Sequence, residues 1–236
     1  MKSIEWNCPI CGNIESFTID EEMIMDETIA WMKTQPCNVC FAKKLEKERR
    51  TERVTRFYQQ AEYCGFPVEH AKAWRSEHPA RNTSIETFIT LNPNQSLWIA
   101  EKNQIGKTFA VLKCGLSELK RGTNVKWIES GSMFRGYVDA LRESEKEAKQ
   151  YFQELANKDL LIIDDIEKIG KFTNSAGELL LKLIDRIGVA KNKRIWVTSN
   201  LSTGEFQELS DNQNQAEAIV ARIANRFLFW NGEAAK

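Results

Sequence analysis

The chain has 236 residues, of which 42% are hydrophobic and 28% charged, and its formal net charge is zero. That length suits one core domain with a small appendage, and the zero charge excludes a chain that binds nucleic acid through bulk charge, leaving only a local basic face for that purpose. No stretch approaches the ~20 apolar residues that span a bilayer, and Met1-Lys2-Ser3-Ile4-Glu5-Trp6-Asn7-Cys8 lacks the apolar core of a signal peptide. The expectation is a cytoplasmic protein without a membrane partner, in a compartment where paired cysteines are metal ligands rather than disulfides.

Residues 1–41 are cysteine-bearing and mildly acidic. Cys8-Pro9-Ile10-Cys11 and Cys37-Asn38-Val39-Cys40 form two CxxC pairs with 25 residues between them. Four thiolates at that spacing can hold one tetrahedral zinc, and with no spare ligand or nearby histidine the site is closed and structural. The alternative is four unlinked buried cysteines. So short a segment buries little core, so the metal would supply most of its folding energy. Cys64 and Cys114 read as small core residues, and His70 and His78 fit no ligand or triad pattern.

Residues 42–60 have no glycine or proline and mix both charge signs, which predicts an exposed linker helix ending near Gly65 and Pro67. Within it, residues 43–56 carry seven Lys/Arg against three Asp/Glu, a face suited to DNA phosphates or simply to solvent. Residues 66–95, with Pro67, Pro79 and Pro93, read as less regular. From Ser96 the pattern becomes strands at 97–100, 124–128, 160–163 and 194–198, alternating with helices at 107–119, within 132–157, at 174–187 and at 214–226. Near-continuous apolar strands between amphipathic helices predict an α/β fold with a parallel sheet covered on both faces.

Residues 100–108 follow an apolar strand and open a helix, which is the setting of a Walker A loop. There Lys107 would meet the β- and γ-phosphates, Thr108 would ligate Mg2+, and Gln104, Ile105 and Gly106 would bring backbone amides to the phosphates of ATP. The pattern GxxxxGK[ST] departs at its first position, where Glu101 stands. The apolar strand 160–163 ends in Asp164 and Asp165, the first placed to hold the metal through water and the second to polarise an attacking water. Asn200, at the end of the strand 194–198, is placed to orient that water. Arg222 and Arg226 share one helix face, either as a solvated basic face or with one of them reaching a neighbouring subunit's γ-phosphate.

In this order the elements resemble AAA+ ATPases (P-loop, ASCE class) of the DnaC/DnaI/IstB-like helicase-loader and initiator branch, over roughly residues 60–230. Residues 61–67 are similar to the "agIP" approach of these ATPases, 160–165 to their "LLIIDD" and 196–201 to their "TTNL" sensor. The resemblance implies that Asn200 is sensor I and that Arg226, with Arg222 beside it, is the arginine finger. It implies that the helical segment 132–157 takes the place of a helix that touches single-stranded DNA in relatives. An N-terminal zinc module resembles that of loaders from Gram-positive bacteria and many phages, where it grips the replicative helicase.

The expected organisation is a four-cysteine module over 1–41, a linker helix over 42–60 and an AAA+ domain over 61–236. Its lid is reduced or absent, since the chain ends at Lys236. The implied function is an ATP-dependent helicase loader or loader-like DNA replication protein. Its cofactors would be ATP, Mg2+ and Zn2+. Its partners would be a hexameric replicative helicase, single-stranded DNA and further copies of itself across the nucleotide interface. Two alternatives stand beside it. One is a transposition helper ATPase of the IstB type, although such helpers typically lack a zinc ribbon. The other is a degenerate P-loop adaptor or inhibitor of a host helicase, because the family's G-x-x-G-x-G-K-T loop here carries Glu101 and Gln104 in place of its first two glycines. Whether ATP is hydrolysed stays open at this point.

Overall fold

The computed structural model describes residues 2–19, 26–69, 83–101, 106–171 and 173–230. The chain divides into two compact units, Met1–Tyr58 and Gln59–Lys236. His70, His78 and Pro79 lie outside the described residues.

In the first unit, β1 (Lys2–Asn7) and β2 (Ile14–Ile19) form an antiparallel hairpin that pairs Lys2 with Ile19 and Asn7 with Ile14. Alternation along β1 turns Ile4 into the unit, where it is buried. Trp6, on the same face, donates its indole N–H to the Gln35 carbonyl at 3.2 Å. Helix α1 (Asp26–Lys33) follows, and then α2 (Asn38–Tyr63), longer at both ends than the linker helix expected over 42–60. Ala61 is the one buried residue of α2. The helix therefore draws little from packing, and exposed pairs such as Arg56–Glu52 at 3.8 Å add only marginally.

The second unit is built on five parallel strands: β3 (Ser96–Ala100), β4 (Val125–Glu129), β5 (Leu160–Asp164), β6 (Arg194–Ser199) and β7 (Phe227–Trp230). Their order is β4-β5-β6-β3-β7. The helices are α3 (Thr83–Leu91), α4 (Lys107–Lys120), α5 (Ser130–Glu143), α6 (Glu145–Ala156), α7 (Asn174–Gly188), α8 (Thr203–Gln207) and α9 (Gln213–Arg226). The residues within 132–157 resolve into two helices because the Ser144 hydroxyl caps α6, accepting the Glu147 N–H at 3.1 Å.

Alternate strand residues serve opposite faces of the sheet. Trp98, Leu161, Ile163, Ile195 and Val197 join one core cluster with Met133, Leu155, Leu183 and Ile223 from the helices. Ile162, facing the other way, packs so close to Gly115 of α4 that a Cβ there would meet its side chain at 2.6 Å. Leu160 to Ile163 have no solvent contact at all, which explains why β5 is an unbroken apolar run.

Helices α3 and α8 and strand β7 of the second unit were not foreseen. Helix α3 lies inside the stretch read as irregular. Helix α8 buries Phe206 edge-on against Trp98, with ring centroids 5.5 Å apart. Strand β7 completes the sheet edge beside β3, Phe227 opposite Ser96.

One buried ion pair fixes the orientation of α4. Arg194, at the start of β6, reaches Glu118 in the last turns of α4 at 2.5 Å. Arg121 at 2.6 Å and Thr123 at 3.0 Å satisfy the rest of that carboxylate. With its C-terminus tied to the beginning of a strand, α4 directs its N-terminus at the strands' C-terminal ends.

Gly65 closes the turn after α2 with φ +86°, and Cys64 O accepts the Trp127 N–H of the edge strand β4 at 2.8 Å. A Cβ on Gly65 would stand 2.2 Å from the Trp127 carbonyl oxygen. Gly65→Ala is expected to destabilise this unit by about 3 kcal/mol through combined φ strain and overpacking, read as a lowered urea midpoint; an unchanged midpoint would contradict this packing.

Candidate functional site

At the C-terminal edge of a parallel sheet, the strand ends release polar residues into one crevice. Strand β3 ends at Ala100, and the next residue, Glu101, still pairs through its N–H with Ser199 O of β6 at 3.2 Å. Gly106, left-handed at φ +83°, then starts α4, a conformation that a residue with a Cβ resists. Lys107 is only 5% exposed. Its ammonium donates to Glu101 O at 2.7 Å and to Asn200 Oδ1 at 2.7 Å. Burial pulls its pKa down, and the charges of Glu167, Asp165, Glu101 and Asp164 oppose that shift.

Strand β5 delivers Asp164. One carboxylate oxygen, Oδ1, accepts from Thr198 Oγ1 at 2.6 Å and from Thr108 Oγ1 at 3.1 Å. Burial pushes the Asp164 pKa up to about 6, and the neighbouring Asp165 charge adds to the rise. The Thr198 hydroxyl also accepts the Asp165 N–H at 2.8 Å. Asp165 is the one non-glycine among the described residues with positive φ, at 50°. Left-handed backbone at a residue with a Cβ is typical of functional turns. Its side chain meets Lys168 at 2.9 Å, and Lys168 also meets Glu129 at 3.2 Å. These two acidic partners, Asp165 first, raise the Lys168 pKa. The Ser130 hydroxyl donates to Asp165 O at 2.6 Å.

Asn200 donates its backbone N–H to Glu167 at 3.2 Å and its side-chain amide to the same carboxylate. Gly106, Lys107, Thr108, Asp164, Asp165 and Asn200 thus lie in one hydrogen-bonded neighbourhood. Gln104 and Ile105, also expected at the phosphates, lie outside the described residues. Arg222 and Arg226 stand elsewhere. Arg222 Nε meets both oxygens of Asp185 at 2.9 and 3.0 Å, while Arg226 meets Asp185 at 2.9 Å and Ile184 O at 2.9 Å. Arg226 directly precedes Phe227, which pairs with Ser96 at the start of β3, so it sits at the sheet edge opposite Lys107.

Glu167, Lys168, Glu129 and Thr198 were not singled out from the sequence. Thr198 carried a usable signal, a hydroxyl at the end of an otherwise apolar strand. Glu167 and Lys168 follow Asp164-Asp165 within one short turn, Ile166–Ile169, where a charged pair has no periodicity to give it away.

In the first unit, the sulfurs of Cys8, Cys11, Cys37 and Cys40 all lie within 4.8 Å of one another, with Cys11 and Cys37 at 3.6 Å. Zinc–sulfur bonds of ~2.3 Å would set tetrahedral sulfurs roughly 3.8 Å apart. Backbone N–H groups already face the sulfurs: Cys37 N to Cys8 Sγ at 3.2 Å and Cys40 N to Cys37 Sγ at 3.4 Å. The Cys37 N–H is the main cause holding the Cys8 thiol down at about 6. The sulfur of Cys11, and then that of Cys37, push Cys40 up to about 12. Four thiols this close cannot all ionise together without a cation, and a divalent metal removes the conflict, so the donor set fits zinc. Cys64 and Cys114 are half-buried, and burial raises both thiols, Cys114 to about 11. They are poor nucleophiles.

No curated protein matches the sequence significantly. Solved structures do match in fold. The replication initiator DnaA bound to AMPPCP and single-stranded DNA aligns with a TM-score of 0.52 at 16% identity, over 63% of this chain and 44% of that one. Domain III of the Thermotoga maritima replication initiation protein DnaA gives 0.51 at 20% identity, over 64% and 62%. DnaI gives 0.51 at 15% identity, over 63% and 81%. This chain therefore spans less than half the length of the first DnaA structure. These likenesses establish the fold alone, a parallel five-stranded sheet with flanking helices. Among the described residues no helix is long and apolar enough to cross a membrane. The family profile described as IstB-like ATP binding protein matches residues 43–228, most of the chain, and the protein belongs to that family.

Proposed function

We propose that this protein is an ATP-dependent, loader-like factor of DNA replication that engages a hexameric replicative helicase and single-stranded DNA. The observation that carries the reading is the convergence of Lys107, Thr108, Asp164, Asp165 and Asn200 at one sheet edge, in a chain that also holds a clustered four-cysteine unit. DnaA, similar in fold, has been seen with AMPPCP and single-stranded DNA, which supports nucleotide and DNA as ligands. The functional division would be a zinc module over 1–41, a linker helix over 42–60 and an ATPase over 61–236.

In this reading Lys107 neutralises the β- and γ-phosphates. Thr108 ligates Mg2+ directly and Asp164 holds it through water. Asp165 polarises the attacking water, and Asn200 orients it. Arg226, with Arg222 beside it, serves the γ-phosphate bound to a neighbouring copy. Within its own chain it rests on Asp185, so a neighbour's nucleotide competes with that carboxylate for the guanidinium. The four thiolates hold one structural Zn2+.

The family match also favours a second reading, an IstB-type transposition helper. Binding partners separate the two: a loader co-purifies with a ring helicase and a transposition helper with a transposase–DNA complex. The third reading, an adaptor with no use for nucleotide, is separated by the P-loop lysine.

Lys107→Ala is expected to weaken Mg–ATP binding by roughly thirtyfold or more, the loss of a buried charge-assisted contact, measured by calorimetry; unchanged affinity supports the adaptor. Because Asp164 carries a raised pKa of about 6 and a cation favours its charged form, Mg–ATP binding at pH 6 should release about half a proton. That release should fade towards pH 8, where Asp164 is already ionised, and should vanish in Asp164→Asn. Calorimetry in buffers of different ionisation enthalpy reads it, and a pH-independent proton count would contradict the assignment. Freshly purified protein should contain about one equivalent of zinc; replacing Cys8 and Cys11 with Ser should abolish both zinc and helicase co-purification. Retention of the helicase without zinc would contradict the role given to the module.

A further inference from the structure

Asn200 has three polar contacts around it, and together they leave its amide one orientation. Its backbone N–H and its Nδ2 both donate to the Glu167 carboxylate, while its Oδ1 accepts from the Lys107 ammonium. A carboxylate only accepts and an ammonium only donates. Turning the Asn200 amide over would set its oxygen against Glu167 and its NH2 against Lys107, two repulsive contacts in place of two attractive ones. Glu167 lies in the 3-10 turn Ile166–Ile169, directly after the two aspartates, so the strand that supplies Asp164 also fixes the partner of Asn200.

We propose that Glu167 is a positioning residue that makes Asn200 face the nucleotide as a hydrogen-bond acceptor. This rests on the functional reading above and sharpens it. Phosphate oxygens accept hydrogen bonds; an attacking water donates them. An Asn200 held with Oδ1 forward takes an O–H from that water, while its NH2 is turned back towards Glu167. In hydrolysis the water oxygen bonds to the γ-phosphorus as the bond to the β–γ bridging oxygen breaks. The electron pair leaves on ADP, and the water's proton passes to Asp165. Glu167 therefore commits Asn200 to the nucleophile rather than to the ground-state nucleotide, and the expected signature is an effect on turnover rather than on binding.

Glu167→Gln is the informative change, because a glutamine can donate to Asn200 Oδ1 as well as accept from Nδ2, so that only Lys107, drawn to the phosphates when nucleotide binds, still favours Oδ1 forward. The experiment follows the Asn200 side-chain amide by 15N NMR, assigned through its loss in Asn200→Ala. Alongside, kcat and the affinity for a Mg2+-bound ATP analogue are measured in wild type, both single variants and the double variant. Glu167→Gln should shift the Asn200 amide pair and lower kcat about tenfold while the analogue Kd moves less than about threefold. In the Asn200→Ala background it should lower kcat by less than about twofold, because its effect runs through Asn200. Unmoved Asn200 resonances, or an equal fall in kcat with and without Asn200, would overturn the proposal. A wild-type protein that binds no nucleotide overturns the functional reading alone, and the amide resonances still decide whether Glu167 holds Asn200.

Discussion

Asp164 is a carboxylate almost cut off from water, and the second unit is arranged around that fact. A buried carboxylate is costly unless it is neutralised or hydrogen-bonded. Thr198 and Thr108 supply two hydrogen bonds, yet burial still lifts its pKa to about 6. Among the described residues two cations serve the crevice: Lys107, which also feels Glu167, Asp165 and Glu101, and Lys168, which pairs with Asp165 and Glu129. Two lysines facing the carboxylates of Asp164, Asp165, Glu101, Glu129 and Glu167 are short of positive charge. Adding a polyphosphate deepens the deficit, whereas adding it together with a divalent cation relieves it. The electrostatics thus favour a nucleotide that arrives with its metal.

The scaffold holds this charge density by rigid means. Strand β5 is buried along its length and delivers Asp164 at its end. Helix α4 packs through Val111 and Leu112 and is tied at its far end by the Glu118–Arg194 pair, so Lys107 and Thr108 enter from a fixed axis. Removing one member of that pair would strand a buried charge, at a cost of about 3–5 kcal/mol. Alone among the described non-glycine residues, Asp165 bends into the left-handed region, and Ser130, Thr198 and Lys168 secure it there through its carbonyl, its N–H and its carboxylate.

Legibility in the sequence followed periodicity. Strands β3 to β6 and helices α4, α7 and α9 were readable because a central strand is continuously apolar and a covering helix carries one apolar stripe. Lys107, Thr108, Asp164 and Asn200 were readable because each terminates or begins such an element. What escaped depends on tertiary partners. Strand β7 is four residues long and makes sense only beside β3. The hairpin β1–β2 carries a short alternation that the cysteines overshadowed. Helix α8 did announce itself, since Ser202 and Glu205 form a capping box, and that signal was available but unread. Glu167 and Lys168 gain their roles from neighbours 33 and 39 positions away in sequence.

The account turns on charge balance at the crevice, so its most direct measurement is ATP affinity with and without divalent metal. Calorimetric titration of ATP in Mg2+ and in EDTA should show binding at least about tenfold tighter with the metal, as expected where carboxylates outnumber ammonium groups. Equal affinity in EDTA would contradict the account, because polyphosphate would then bind without the cation proposed for Asp164.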